Sequence, residues 1–194
     1  MPPAPVGRGV RVPRRRLFAL LAAALTAVLV LGNASPAHAS IWQLSDGFEG
    51  SPVYRWSFDG EGDHYGSFSN HPELAHSGNW YGYIDQFSTG WSSVGRSVHL
   101  TPAEVHQPSC AVKFWLARVT ASPVVAIEVI DPATWTYIAL YHVTGPGQSP
   151  DWQSFAVGPW RATQTDVFLR FTVGSTAGTL VATKIDDVVV SCSY

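Results

Sequence analysis

From Ser45 onward, apolar residues recur at every second position in short runs, and clusters of Gly, Pro, Ser and Asp separate the runs. No stretch holds a helical period for three turns, so the pattern is all-β. It predicts strands over Asp46–Glu49, Tyr54–Phe58, Asn79–Asp85, Ser93–Leu100, Cys110–Thr120, Val124–Ile130, Thr134–Val143, Trp152–Val157, Val167–Val173 and Thr183–Cys192, with one helical turn over Pro102–Val105. In the Cys110 run, Cys110, Val112, Phe114 and Leu116 form a dry face against the mixed Ala111, Lys113, Trp115 and Ala117. Val167, Leu169, Phe171 and Val173 alternate in the same way with Phe168, Arg170 and Thr172. Long strands with one dry face pack as two antiparallel sheets, so the expected architecture is a β-sandwich.

The last run, Lys184 to Cys192, carries two adjacent carboxylates, Asp186 and Asp187, in otherwise apolar surroundings. Strict alternation puts Asp186 on the core side with Val188, Val190 and Cys192, and Asp187 on the other side with Ile185 and Val189. A buried carboxylate needs compensation, by a cation, an arginine or backbone amides.

Residues 1–39 have the pattern of an export signal. Arg8, Arg11 and Arg14 to Arg16 precede an apolar run from Phe18 to Leu31, and Ala37-His38-Ala39 forms a small-residue cleavage site. The apolar run is too short for a membrane span. The expected product is a secreted, extracellular, monomeric domain over residues 40–194. Five of the twelve basic residues and none of the fourteen acidic ones lie in 1–39, which leaves the mature part at a formal charge of −7. That balance argues against a nucleic-acid partner. In an oxidising compartment the two cysteines, Cys110 and Cys192, are most simply a disulfide, with two buried free thiols as the alternative.

Trp135, Tyr137 and Tyr141 fall on one side of their run, opposite Ile138 and Leu140, which read as core-directed. Tyr81, Tyr83 and Asp85 share a parity in theirs. Aromatic rings flanked by polar groups suit sugars, whose apolar C–H faces stack while their hydroxyls take hydrogen bonds. Tyr81, Tyr83, Asp85, Trp91, Trp135, Tyr137 and Arg170 are therefore the candidate ligand-binding residues, with Lys113 and Trp115 bordering them if their strands share the sheet. Trp91 and Trp160 read as loop residues. Asp63, His64 and Glu73 lie in a polar segment with His71 and His76, and are the residues a small secreted hydrolase would use. Their spacing matches no zinc motif, and the chain has no G-x-S-x-G elbow or phosphate loop, so binding without catalysis is the expectation.

Four segments, Phe48-Glu49, His76 to Ile84 (HSGNWYGYI), Cys110 to Leu116 (CAVKFWL) and Ile185 to Cys192 (IDDVVVSC), resemble the landmarks of secreted jelly-roll modules. Two groups share them: galactose-binding-like carbohydrate-binding modules, and the MAM domains of extracellular adhesion proteins. The resemblance implies a jelly-roll sandwich that binds a glycan or cell-surface polysaccharide, or, in the MAM case, a protein partner. It also implies a structural Ca²⁺ held by an acid of the first strand and the Asp of the closing "ID" strand, here Glu49 and Asp186. In MAM domains the matching cysteines, here Cys110 and Cys192, are bridged.

Overall fold

The computed structural model describes residues 39–120, 123–146 and 151–194. The export signal expected over residues 1–39 lies, but for its last residue, outside them. The described chain forms eleven strands in two antiparallel sheets, the jelly-roll β-sandwich expected. They are β1 (Ile41–Asp46), β2 (Ser57–Glu61), β3 (His64–Asn70), β4 (Trp80–Gln86), β5 (Gly90–His99), β6 (Ser109–Arg118), β7 (Val124–Asp131), β8 (Thr136–Thr144), β9 (Gln153–Arg161), β10 (Asp166–Ser175) and β11 (Val181–Ser193). Pro52–Tyr54 and Thr101–Glu104 form short 3₁₀ turns, the second close to the helical turn predicted there. Among the described residues no helix is long and apolar enough to cross a membrane.

The first sheet runs β3-β4-β11-β6-β9, with β1 also on β11, and the second runs β2-β5-β10-β7-β8. Their inner faces meet in one core, in which Ile84, Phe114, Leu116 and Ile185 of the first sheet face Val94, Ile127, Leu169 and Phe171 of the second. Phe114 and Phe171 cross edge to face with centroids 5.0 Å apart, a favoured aromatic geometry. Phe48 reaches this core from the bend after β1, where Gly82 makes room for it: a Cβ there would lie 3.2 Å from the ring.

Cys110 and Cys192 are directly opposed on the core face of β6 and β11 and are joined as a disulfide, their Cα atoms 4.0 Å apart. The bridge therefore ties two neighbouring strands of one sheet.

β11 is the spine of the first sheet. β6 pairs along one edge; on the other, β4 pairs with Val181 to Ile185 and β1 pairs with Val188 to Ser193. Between those two partners the register to β6 slips, with Asp186 opposite Trp115 and Val189 opposite Lys113. One extra residue is accommodated there, and Asp187 takes a left-handed φ of 46°. The bulge overturns the simple alternation. Ile185 and Val188 both face the core, while Asp186 lies on the outer side with Lys184 and Trp115.

A second bulge corrects β8. Ile130 pairs with Tyr137 but Val129 pairs with Ala139, so Ile138 is the additional residue and every side chain after it changes face. Tyr141 thus packs against the core and donates from its hydroxyl to the Pro159 carbonyl (3.1 Å), and Leu140 points outward. The first strand also begins earlier than its pattern suggests. β1 ends at Asp46, and Phe48 occupies a left-handed bend in place of the expected strand Asp46–Glu49. Likewise β3 occupies the segment whose polar residues read as loop.

Candidate functional site

The outer face of the second sheet carries a cleft of about 260 Å³, lined by Ser57, Phe58, Asp59, Ser93, Gly95, Trp135, Phe168 and Arg170. Its floor depends on Gly95 in β5: a Cβ there would sit 2.7 Å from the Phe168 ring, so only glycine lets that ring lie across the neighbouring strand. Trp135 forms one wall. It sits in the β7–β8 turn with φ 54°, and Asp131 builds that turn. The Asp131 carboxylate accepts from the Ala133 amide (2.8 Å) and the Thr134 hydroxyl (2.9 Å), and its carbonyl accepts from the Trp135 amide (2.8 Å). The indole is 64% exposed and leans on Phe168, centroids 5.6 Å apart, so one face is supported and much of the rest is open to a ligand. Tyr137, also exposed, stands on the same face in β8.

The polar part of the face is Arg170 with Glu128, adjacent on β10 and β7. Arg170 Nε donates to the Glu128 carboxylate, and the Thr172 hydroxyl donates to the same oxygen (3.3 Å). The guanidinium also lies over Trp91, 5.2 Å from the ring centroid. Trp91 belongs to β5 and not to a loop. Trp160, the other tryptophan read as a loop residue, lies in β9 and is buried in the core.

Four of the candidate ligand residues, Trp91, Trp135, Tyr137 and Arg170, thus gather on this face. The other three do not join them. Tyr81, Tyr83 and Asp85 are on β4 in the first sheet, on the opposite side of the sandwich, together with Lys113 and Trp115 of β6. There Lys184 Nζ lies over the Tyr81 ring (5.0 Å), and burial lowers the lysine pKa. Burial, followed by the Asp85 carboxylate, pushes the Tyr83 hydroxyl pKa upward. Strand patterning singled out neither Asp59 and Phe168 in the cleft wall nor Glu128, the partner of Arg170, as ligand residues. Glu128 had a readable signal, a lone acid inside the apolar run Val124 to Ile130, of the same kind as Asp186.

Asp186 is fully buried, and backbone amides compensate it. His76 (2.9 Å) and Ser77 (3.3 Å) donate to Oδ2, and Asp187 (2.7 Å) donates to Oδ1. Burial still outweighs these bonds and raises its pKa to about 7. Asp187 holds the same loop by its side chain, bonding His76 Nδ1 at 2.6 Å and accepting from the Ser77 hydroxyl at 2.7 Å; the His76 ring stacks on Trp115 at 3.8 Å. Glu49 Oε1 accepts from the amides of Asn79 (2.6 Å) and Trp80 (2.8 Å). The three acids pin one loop, His76 to Trp80. Ca²⁺ takes six to eight oxygen ligands. Here Glu49 Oε1 and both Asp186 oxygens face N–H donors, and among the described residues no group of three or more acid, His or Cys side chains is arranged to hold a metal ion. The donor set does not fit a hard cation.

Asp63, His64 and Glu73 do not assemble either. His64 Nδ1 bonds the Gly62 carbonyl (2.8 Å), the Asp63 amide donates to Ser88 (2.9 Å), and Glu73 pairs with the exposed His71 (3.3 Å).

A scan of protein-family models found none that matches, and a search of curated proteins found none. Solved structures do match. TmCBM61 in complex with β-1,4-galactotriose superposes with a TM-score of 0.52 at 18% identity, over 74% of this chain and 92% of that one. The family 11 carbohydrate-binding module from Clostridium thermocellum, in complex with a β-1,3-1,4-mixed-linked tetrasaccharide, gives 0.54 at 11%, over 77% and 94%. This chain has the fold of carbohydrate-binding modules. That galactose-binding-like jelly roll is shared more widely: the K1 cleaved adhesin domain of Lys-gingipain from Porphyromonas gingivalis W83 matches at 0.53 and 16%, over 77% and 97%. At these identities the likeness establishes the fold, and the cleft must speak for the module's function.

Proposed function

We propose that the chain is a secreted, non-catalytic glycan-binding module that holds sugar in the cleft of the second sheet. The observation that carries this reading is the exposed Trp135 ring, held over Phe168 beside a cleft with hydroxyl, carboxylate and guanidinium groups in its walls. Sugar rings stack on such a platform, and Asp59, Ser93 and Arg170 supply partners for hydroxyls. Glu128 is committed to Arg170 and Thr172, so the cleft has no free pair of carboxylates with which to cleave a glycosidic bond. The solved carbohydrate-binding modules of the same fold lend support.

Affinity electrophoresis on β-1,4-galactan, mixed-linkage β-glucan and xylan tests the reading. Retardation by at least one of them, lost in Trp135→Ala and kept in Tyr83→Ala, is the expected result. Failure of the wild type to bind any glycan on a broad array would overturn it.

A further inference from the structure

Beyond Phe168, where β2 begins and its pairing with β5 stops, the cleft adjoins a larger pocket of about 460 Å³ with which it shares Ser57 and Phe168. Its walls include Tyr54, Trp56, Arg55 and Arg96. Tyr54 is 88% exposed on the rim, in the 3₁₀ turn before β2.

The two arginines share one carboxylate, and they share it unequally. Arg55 bonds both oxygens of Asp46 (2.9 and 3.0 Å) and the carbonyls of Glu49 (2.6 Å) and Gly50 (3.0 Å). Asp46 also accepts from Trp56 Nε1 (3.0 Å) and the Phe48 amide (2.9 Å). Arg96 has only Nη1 on Asp46 and Nε on the Ser97 carbonyl (3.3 Å). A guanidinium offers five N–H donors. Three of those of Arg96 have no acceptor among the described residues, although its side chain is only 14% exposed and lies over the Trp56 ring at 5.5 Å.

The charge count agrees, with two cations against one buried anion. Burial, and then the like charge of Arg55, lower the Arg96 pKa against the opposing pull of Asp46. The group stays charged, and burial is the main cause of the shift.

We infer that the cleft extends past Phe168 and that Arg96 binds an acidic substituent, a carboxylate or a sulfate ester, on the glycan. The inference rests on the glycan-binding reading of the cleft and adds the class of glycan. Spare guanidinium donors in a partly desolvated pocket suit planar or tetrahedral oxyanions, and charge-assisted bonds there are stronger than neutral ones. Tyr54, exposed on the rim, would flank the sugar that carries the acid.

The test compares one backbone in several forms: β-1,4-galactan, the same polymer oxidised to a carboxylate at C6, and the same polymer O-sulfated, with mixed-linkage β-glucan treated in parallel. The acidic forms are expected to bind roughly tenfold more tightly at low salt, with the gain shrinking as NaCl rises. Whichever acid gains more identifies the natural substituent. Arg96→Gln should remove the gain. Because that change also strips a partner from Asp46, Tyr54→Asp serves as a second variant at an exposed position, and it should lower the ratio of acidic to neutral affinity. Equal affinity of wild type for neutral and acidic forms overturns the inference and leaves the glycan-binding reading standing. No binding of either form, together with no binding to any glycan on the broad array, overturns both.

Discussion

Arg170 lies over the Trp91 ring, 5.2 Å from its centroid, while its Nε donates to the buried carboxylate of Glu128. One side chain thus orders an aromatic ring and neutralises an acid on three adjacent strands, β5, β10 and β7. The pair gives the cleft a polar floor without a net charge.

Removing one partner should cost far more than removing both. Arg170→Ala leaves Glu128 buried with only Thr172 as a side-chain donor, and a destabilisation of about 3 kcal/mol is expected in urea denaturation. Glu128→Leu combined with Arg170→Met should recover most of it. A wild-type denaturation midpoint for Arg170→Ala would show that the pair does not hold the sheet.

The stability of the module should fall as pH rises from about 4 to about 7, through the raised pKa of Asp186. The sign follows from linkage. In that window the folded state keeps the Asp186 proton and the unfolded state has released it, so the folded state binds more protons and each step up in pH favours unfolding. Asp187 and His76, which border the site, are retained in the test variant, Asp186→Asn. That variant should flatten the slope. Asp46 acts in the opposite sense: its pKa is lowered, through bonds to Arg55, Trp56 and Phe48 that prevail over burial. Its contribution is present above its unfolded value of 3.8 and is lost below it. A melting temperature that does not fall between pH 4 and 7 would contradict the assignment to Asp186.

Reduction should destabilise the fold without disturbing the cleft. Cys110 and Cys192 lie 82 positions apart, and constraining so long a loop in the unfolded chain is worth up to roughly 4 kcal/mol. The double variant Cys110→Ser/Cys192→Ser should show a lower denaturation midpoint, while glycan affinity measured below its melting temperature stays at the wild-type value. Affinity lost together with the bridge would tie the disulfide to the binding face.

Chelation should leave the melting temperature unchanged, because the Glu49 and Asp186 carboxylates already accept from backbone amides. Scanning calorimetry with EDTA and with added Ca²⁺ is the direct check, and a rise in melting temperature on adding Ca²⁺ would overturn the amide account. In that account, Gly47→Ala is expected to destabilise the same corner, since the new Cβ would lie 2.9 Å from Asp187 Oδ1.

Periodicity located the long strands because their dry faces alternate without interruption, as in β6 and β10. It failed where one residue was inserted. The bulge at Asp187 moved Asp186 from the core side to the outer side, and the one at Ile138 exchanged the roles of Leu140 and Tyr141. A bulge leaves almost no mark in the sequence, since the inserted residue can be as ordinary as isoleucine. Sheet membership was also hidden. Tyr83 and Trp135 both read as outward aromatics, but parity within a strand does not say which sheet the strand joins. The short β3 was missed because the two aromatics of His64 to Asn70, Tyr65 and Phe68, stand three positions apart, which breaks the period of two, in an edge strand otherwise made of polar and small residues.

The place of β11 in the first sheet has a consequence for the order of assembly. β1, β4 and β6 all pair with β11, the last of the described strands in chain order. Until Val181 to Ser193 arrives, that sheet is two separate pieces, the β3–β4 hairpin and the β6–β9 pair, and Cys110 has no partner. Such long-range closure is slow, and the first sheet stays open until β11 has been made. The first sheet, and with it the Cys110–Cys192 bridge, is therefore completed in one step, when β11 joins strands that lie far from it in the chain.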